Sequence, residues 1–247
     1  MSKEKKLTKK KVNTAQQAFE KAVKKNQLIN SNDSILVGLS GGIDSLVLLD
    51  LLANRKKHFD VEFTLKAVHV DIKNIPYSVN REFLHQFCEK RDIEFLFIEK
   101  EIQIDETKMS DNPCFICSWN RRKLLFDFAR ENNFNKLALG HHKDDAIETF
   151  LINLVYHGTI SSLPVSLDMF SGRMKLIRPL MYLNKEQIVD YSKAKDYEAK
   201  IKTCTFDNKT KRRKIVSVLK EMRKFNPHVD GNIFKAMSDI YEEYLPK

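Results

Sequence analysis

Three short runs carry the residue types that do chemistry. The first, Ser40-Gly41-Gly42-Ile43-Asp44-Ser45, sits between an apolar run, Ile35 to Leu39, and an apolar-periodic run, Leu46 to Leu52. Glycines where a strand gives way to a helix let the backbone approach a ligand and aim several N–H groups at one point. The helix start adds partial positive charge. Together with the Ser40 and Ser45 hydroxyls this makes a phosphate cradle. Asp44 repels phosphate unless it binds a cation or positions a reacting group. The second run is Gly140-His141-His142-Lys143-Asp144-Asp145-Ala146-Ile147-Glu148-Thr149. Adjacent carboxylates opening a helix can hold Mg2+ through oxygen ligands and so offset phosphate charge. The plain alternative is that Asp144 caps the helix while Asp145 and Glu148 favour its dipole. The third run is Pro113-Cys114-Phe115-Ile116-Cys117, followed by Arg121, Arg122 and Lys123, with Cys204 far downstream. Cys-x-x-Cys fits half a zinc site, a redox dithiol or two ligands of an iron–sulfur cluster. Cys88 shares a helical face with Val79, Phe83, Leu84 and Phe87 and is expected in the core, which leaves three cysteines. Zinc would then need a histidine such as His141 or a carboxylate as a fourth ligand. A cluster on three cysteines keeps one iron open.

The spacing of apolar residues supplies the elements that position these runs. Strands are expected at Ile35 to Leu39, Glu62 to Val70, Ile93 to Ile98, Lys136 to Leu139 and Lys175 to Leu180. Helices are expected at Ala15 to Leu28, after the glycine loop, after a Ser78 cap, at Ser118 to Glu131, Asp144 to Tyr156, Asn184 or Lys185 to Asp196, Lys209 to Phe225 and Asn232 to Tyr244. Residues 1 to 12 read as an unstructured lysine-rich tail, and Ile160 to Ser171 as a loop. Strands alternating with helices indicate an α/β, doubly wound, mostly parallel sheet with helices on both faces and small helical appendages at each end. Its ligand crevice lies beyond the carboxyl ends of the strands. The glycine loop, Val68 to Asp71 and Gly140 to Asp145 all follow strand ends there. We expect a basic tail and helix over 1–30, the α/β domain with the Cys-x-x-Cys over 31–200, and a basic helical segment with the third cysteine over 201–247.

Composition narrows the partners. The formal net charge is +10 over 247 residues, with +7 in 1–25, +7 in 209–224 and −4 in the rest. Charge concentrated in two segments suits a polyanion. No apolar run approaches the roughly 18 residues of a membrane span, and the lysine-rich start has no apolar signal core. A soluble, cytoplasmic protein is the expectation. Four cysteines in a chain of this length argue for metal or redox chemistry over a disulfide scaffold.

Ser-Gly-Gly-x-Asp-Ser after a strand resembles the pyrophosphate loop of the PP-loop ATPases, which cleave ATP to AMP and pyrophosphate while adenylating a substrate oxygen. It lacks the Gly-Lys-Ser/Thr ending of a Walker A loop. Gly-His-x-x-Asp-Asp-x-x-Glu-Thr resembles the second signature of PP-loop enzymes that modify tRNA. With the Cys-x-x-Cys and the distant cysteine, the chain is similar to the tRNA 2-thiocytidine synthetase (TtcA-type) family from Ser34 to Tyr241, whereas lysidine synthetases share only the loop and the Asp-Asp helix. The resemblance implies an adenine nucleotide α-hydrolase-like fold and ATP, Mg2+ and a 4Fe-4S cluster as cofactors. By it, Ser40, Gly41, Gly42 and Ser45 hold ATP phosphates, and Asp44, Asp144 and Asp145 position Mg2+ and the reacting oxygen. Val68 and Val70 receive adenine, with Gly140 and His141 completing the nucleotide site, and Cys114, Cys117 and Cys204 hold the cluster that carries sulfur. The implied reaction is thiolation at C2 of an anticodon-loop cytidine. The implied partners are tRNA, a sulfur donor system such as a cysteine desulfurase, and a second copy of the chain if it forms a homodimer.

Arg121, Arg122, Arg178 and the basic residues of 209–224 are candidates for tRNA phosphates, and Phe115 and Trp119 for stacking on the base or shielding the cluster. Two departures stand out: Ile43 where the family usually has lysine, and Asp207 where a second C-terminal cysteine often stands, either a weak fourth ligand or unrelated. Competing readings are a persulfide without metal, a PP-loop enzyme thiolating another tRNA base or a small molecule, and a zinc-stabilised nucleic-acid-binding module without ATP turnover.

Overall fold

The computed structural model describes residues 3–58, 61–74, 77–102, 113–197, 203–204 and 211–246. Their elements are α1 (Lys3–Lys25), β1 (Asp33–Gly38), α2 (Ile43–His58), β2 (Phe63–Ile72), β3 (Tyr77–Ser78), α3 (Arg81–Glu89), β4 (Glu94–Lys100), α4 (Pro113–Glu131) and β5 (Lys136–Ala138). They continue with α5 (Lys143–His157), β6 (Ser166–Met169), β7 (Met174–Ile177), α6 (Lys185–Ala194), β8 (Thr203–Cys204), α7 (Lys211–Phe225), α8 (Val229–Ala236) and a closing 3-10 turn, Glu242–Tyr244. One sheet runs in the order β4-β2-β1-β5-β7-β6, and a two-stranded ladder joins β3 to β8. Every pairing in the large sheet is parallel except β6 with β7.

Alternation along β1 builds a core on each face. Ile35 and Val37 pack into the main core with α1, α2, α3 and α6, while Leu36 faces the opposite way, toward Leu125, Phe128 and Ala129 of α4. Period-two side-chain direction requires this split. Apart from its first two positions and Asn54, α2 is buried on every side up to Arg55, because α6 and α1 cover the face turned away from the sheet. A buried salt bridge between Asp33 and Lys136 ties the starts of β1 and β5.

Several boundaries differ from the sequence reading. Residues 3–12, expected to be unstructured, continue α1, since Val12 packs on the core and Lys11 pairs with Asp190 of α6 at 2.8 Å. The Cys-x-x-Cys falls within the first two turns of α4, not before it. Asn80, not Ser78, caps α3, its side chain accepting from the Phe83 N–H at 2.9 Å. Part of the expected 160–171 loop is strand β6, a short edge strand in which Leu167 and Met169 alternate with Ser166 and Asp168. The last helix ends at Ala236. Cys88 is fully buried, as its helical spacing implied, and burial pushes its thiol up to about 12.

Candidate active site

The glycine loop stands where β1 hands over to α2. Gly41 has φ +79°, a conformation that costs a residue with a Cβ but not glycine. Ser45 is buried and closes the loop on itself: its hydroxyl donates to the Gly42 carbonyl at 2.9 Å and accepts from the Ser40 N–H at 3.1 Å. Ser45 thus shapes the turn, leaving Ser40 as the loop's exposed hydroxyl. Pairing between β1 and β2 ends at Gly38 opposite Val68, whose carbonyl accepts the Leu39 N–H at 2.8 Å. Strand alternation puts the Val70 N–H and C=O on that same edge, past the end of β1. Among the described residues the pairing of β1 with β2 does not reach Val70, whose main-chain donor and acceptor on that edge suit a planar ring with donors and acceptors. His69 turns inward and its Nδ1 lies 2.7 Å from the Leu39 carbonyl.

The second motif joins the first through backbone contact. A Cβ at Gly140 would lie 3.0 Å from the Asp44 carbonyl carbon, 3.1 Å from its oxygen and 3.1 Å from the Ser45 nitrogen. Glycine makes this approach without displacing the facing main chain, and it brings Asp44, Asp144 and Asp145 around His142. His142 lies 3.8 Å from Asp44, 3.4 Å from Asp144 and 3.4 Å from Asp145. Its backbone N–H donates to Asp145 at 2.9 Å, so His142, not Asp144, is the N-cap of α5. Burial would lower the His142 pKa, but the three carboxylates outweigh it and raise it. Burial likewise works against ionised Asp144 and Asp145. Contact of Asp144 with His142 and the Lys185 N–H, and the charges of His142 and Arg212 at Asp145, hold both below the usual carboxylate range. His141 behaves oppositely: burial, then the charges of Arg178, Arg122 and Arg212, take it down to about 4 despite Asp145. Of the adjacent histidines, one has its pKa raised and the other lowered.

Cations that the sequence reading did not place here complete the cluster. Lys185 donates to Asp44 at 2.6 Å, and its backbone N–H donates to Asp144 at 2.8 Å. Arg212 of α7 bridges Asp145 and Glu148, and Arg223 approaches Asp144 at 3.7 Å. Beneath them Ile215 and Leu219 pack on Ile147 and Leu151, so the basic helix is latched to the acidic one. Among the described residues no group of three or more His, Cys, Asp or Glu side chains is arranged to hold a metal ion. The oxygen-rich donor set of Asp44, Asp144 and Asp145 suits Mg2+ by its chemistry, with its oxygens here engaged by lysine and arginine.

Cys117 is half-buried and packs at the carboxyl end of β2 with Val70, Ile72, Leu124 and Leu125. Cys204 pairs across the β3–β8 ladder with Tyr77, five residues past the end of β2. The side chains of Cys114, Phe115 and Cys204, and all of Asp207, lie outside the described part. Trp119 is exposed, with the Lys123 ammonium 5.5 Å from its ring centre. Arg178, offered by the sequence as a phosphate contact, is instead buried, its guanidinium donating to the Pro164 carbonyl at 2.6 Å. Arg212 and Arg223, offered likewise, spend their charge on acids of this site and on Asp230.

The profile of the PP-loop domain matches residues 11–220. A tRNA-cytidine(32) 2-sulfurtransferase 1 of Francisella tularensis subsp. tularensis is 35% identical over 226 residues, which cover 89% of this chain and 83% of that protein. A tRNA-cytidine(32) 2-sulfurtransferase of Hahella chejuensis is 31% identical over 91% of this chain and 80% of its own length. Among solved structures, the U34-tRNA thiolase NcsA from Methanococcus maripaludis, with its 4Fe-4S cluster, superposes with a TM-score of 0.75 at 22% identity, covering 94% of this chain and 78% of that one. That likeness is one of fold. Motifs, fold and similarity over most of its length agree that this chain belongs to the PP-loop enzymes and, within them, to the tRNA-cytidine 2-sulfurtransferase family.

Proposed function

We propose that this protein thiolates an anticodon-loop cytidine of tRNA at C2, using ATP to activate the oxygen and three cysteines to deliver sulfur. One observation supports the reading: Cys117 of α4 packs at the carboxyl end of β2, the strand beside the glycine loop, and the strand holding Cys204 pairs with β3, which follows β2 by five residues. Sulfur delivery and oxygen activation must occur at one carbon, so the two halves have to adjoin.

In this reading Gly41, Gly42 and Ser40 bind the ATP phosphates, and the β2 edge at Val70 receives adenine, with Gly140 and His141 closing the far side. Asp44, Asp144 and Asp145 would hold Mg2+, which supplies charge compensation at the phosphates. The cytidine leaves its stack to enter the crevice, a modest cost in a single-stranded loop. Its C2 oxygen attacks the α-phosphorus and pyrophosphate leaves. Sulfur then attacks C2, and the C2–O bond breaks to release AMP. Cys114, Cys117 and Cys204 would ligate a 4Fe-4S cluster, which supplies an open iron for sulfur; the cluster recorded in the NcsA structure is consistent with this fold accommodating one. Trp119, exposed on the same helix, would stack on the base. Exposed Lys214 and Lys220 of α7 meet tRNA phosphates.

The test is anaerobic purification with an absorption spectrum and iron and sulfide analysis, for the parent and for Cys204→Ala. The proposal expects iron and sulfide in the parent and their loss in the variant. Equimolar zinc without iron would replace it with the nucleic-acid-binding module.

A further inference from the structure

A phosphate site needs cationic help, yet the loop Ser40 to Ser45 contains no basic residue and one acid, Asp44. Ile43, next to that acid, is half-buried and packs against the main core. Nearby cations are mostly committed elsewhere. Lys143 lies over the Phe234 ring at 5.5 Å, Arg212 is clamped between Asp145 and Glu148, and His142 is buried.

Lys185 differs from them. Its main chain is fixed at the first turn of α6: Asn184 accepts from the Gln187 N–H at 2.9 Å, and the Lys185 N–H donates to Asp144 at 2.8 Å. Its side chain is 44% exposed and carries the ammonium to within 2.6 Å of Asp44 in the loop. A rigid base with a mobile four-carbon stem suits a lysine that must change partners. An exposed Lys–Asp pair is weak enough to exchange readily. We propose that Lys185 is the phosphate-binding cation of this nucleotide site, exchanging its pairing with Asp44 for the β- and γ-phosphate oxygens of ATP. This rests on the reading of Ser40 to Ser45 as an ATP site. It adds a residue from α6, remote in sequence, that neither motif contains.

The test compares ATP, pyrophosphate and AMP binding by calorimetry, with Mg2+, for the parent, Lys185→Ala, Lys185→Gln and Lys185→Arg. A lost charge-assisted contact should weaken ATP and pyrophosphate by about ten- to a hundredfold in the Ala and Gln variants. AMP, which has no β- or γ-phosphate, should stay within about twofold, and the Arg variant should keep most of the affinity. Equal loss for all three ligands would mean that Lys185 only props the loop, and unchanged ATP and pyrophosphate affinity would refute the inference outright. If the parent itself binds neither ATP nor pyrophosphate, the nucleotide reading fails and the inference with it. If the parent binds and the variants bind as well, only the role of Lys185 falls.

Discussion

Gly140→Ala tests whether the two phosphate-side motifs work as one body. The added methyl would meet the Asp44 carbonyl carbon at 3.0 Å, its oxygen at 3.1 Å and the Ser45 nitrogen at 3.1 Å, all main-chain atoms. Backbone cannot swing aside as a flexible side chain can, so the β5–α5 turn and the glycine loop must part by some tenths of an ångström. Overpacking of this kind costs about 1–3 kcal/mol. For a chain of this size, about 2–4 °C per kcal/mol lowers the melting temperature by roughly 2–12 °C. The same separation moves Asp44 away from Asp144 and Asp145, so ATP affinity should fall as well. Gly158→Ala is the control. That residue has φ +62° and nothing within 4 Å of an added Cβ, so the change costs about 1–2 kcal/mol of backbone strain and should leave nucleotide affinity alone. Thermal unfolding and calorimetric titration with ATP and Mg2+ measure both effects. If Gly140→Ala melts within about 1 °C of the parent and binds ATP equally, the motifs are not in obligatory contact and the reasoning fails.

Asp145→Ala should abolish ATP-dependent tRNA thiolation while leaving any iron content intact; unchanged turnover would remove that carboxylate from the chemistry. Asp50→Ala should cost about 3–5 kcal/mol, because it strands Arg91, which donates to it at 2.7 Å, inside the protein. Burial works against ionised Asp50, but Tyr191, Tyr197 and Arg91 together hold its pKa below the ordinary 3.8. Its stabilising contribution is therefore complete above that value and is lost as pH falls through the lower folded pKa; urea titrations of parent and Asp50→Asn should converge only in that acid window. Leu219→Ala, at a side chain 2% exposed under the latch between α5 and α7, should cost about 2–5 kcal/mol, seen as earlier proteolysis of the C-terminal helices. Lys214→Ala with Lys220→Ala should weaken tRNA binding and lower the slope of log affinity against log salt by about one per lost phosphate contact.

The glycine loop, the Asp-Asp pair and the central strands were legible because each has a local signature: small residues at a strand end, adjacent acids at a helix start, apolar runs of strand length. What sequence could not supply is the identity of partners brought together from afar. Lys185 and Asp44 lie 141 residues apart and Arg212 and Asp145 lie 67 apart, and nothing in the spacing of either pair marks the contact. Arg178 follows a strand beside a proline, a placement equally suited to a surface phosphate contact and to the buried bond it makes with Pro164. The lysines of α1 read alike on a free tail and on the outer face of a helix. The packing of Val12 on the main core and the pairing of Lys11 with Asp190 of α6 decide between the two.

The mounting of the glycine loop has a thermodynamic consequence. Because α2 is walled in by the sheet, α1 and α6, and pinned through Asp50 to Arg91 and Tyr191, the loop's shape is fixed when the chain folds rather than when a nucleotide arrives. Association then forfeits little conformational freedom. By the same token, damage deep under α2, far from any ligand, should loosen the grip on ATP.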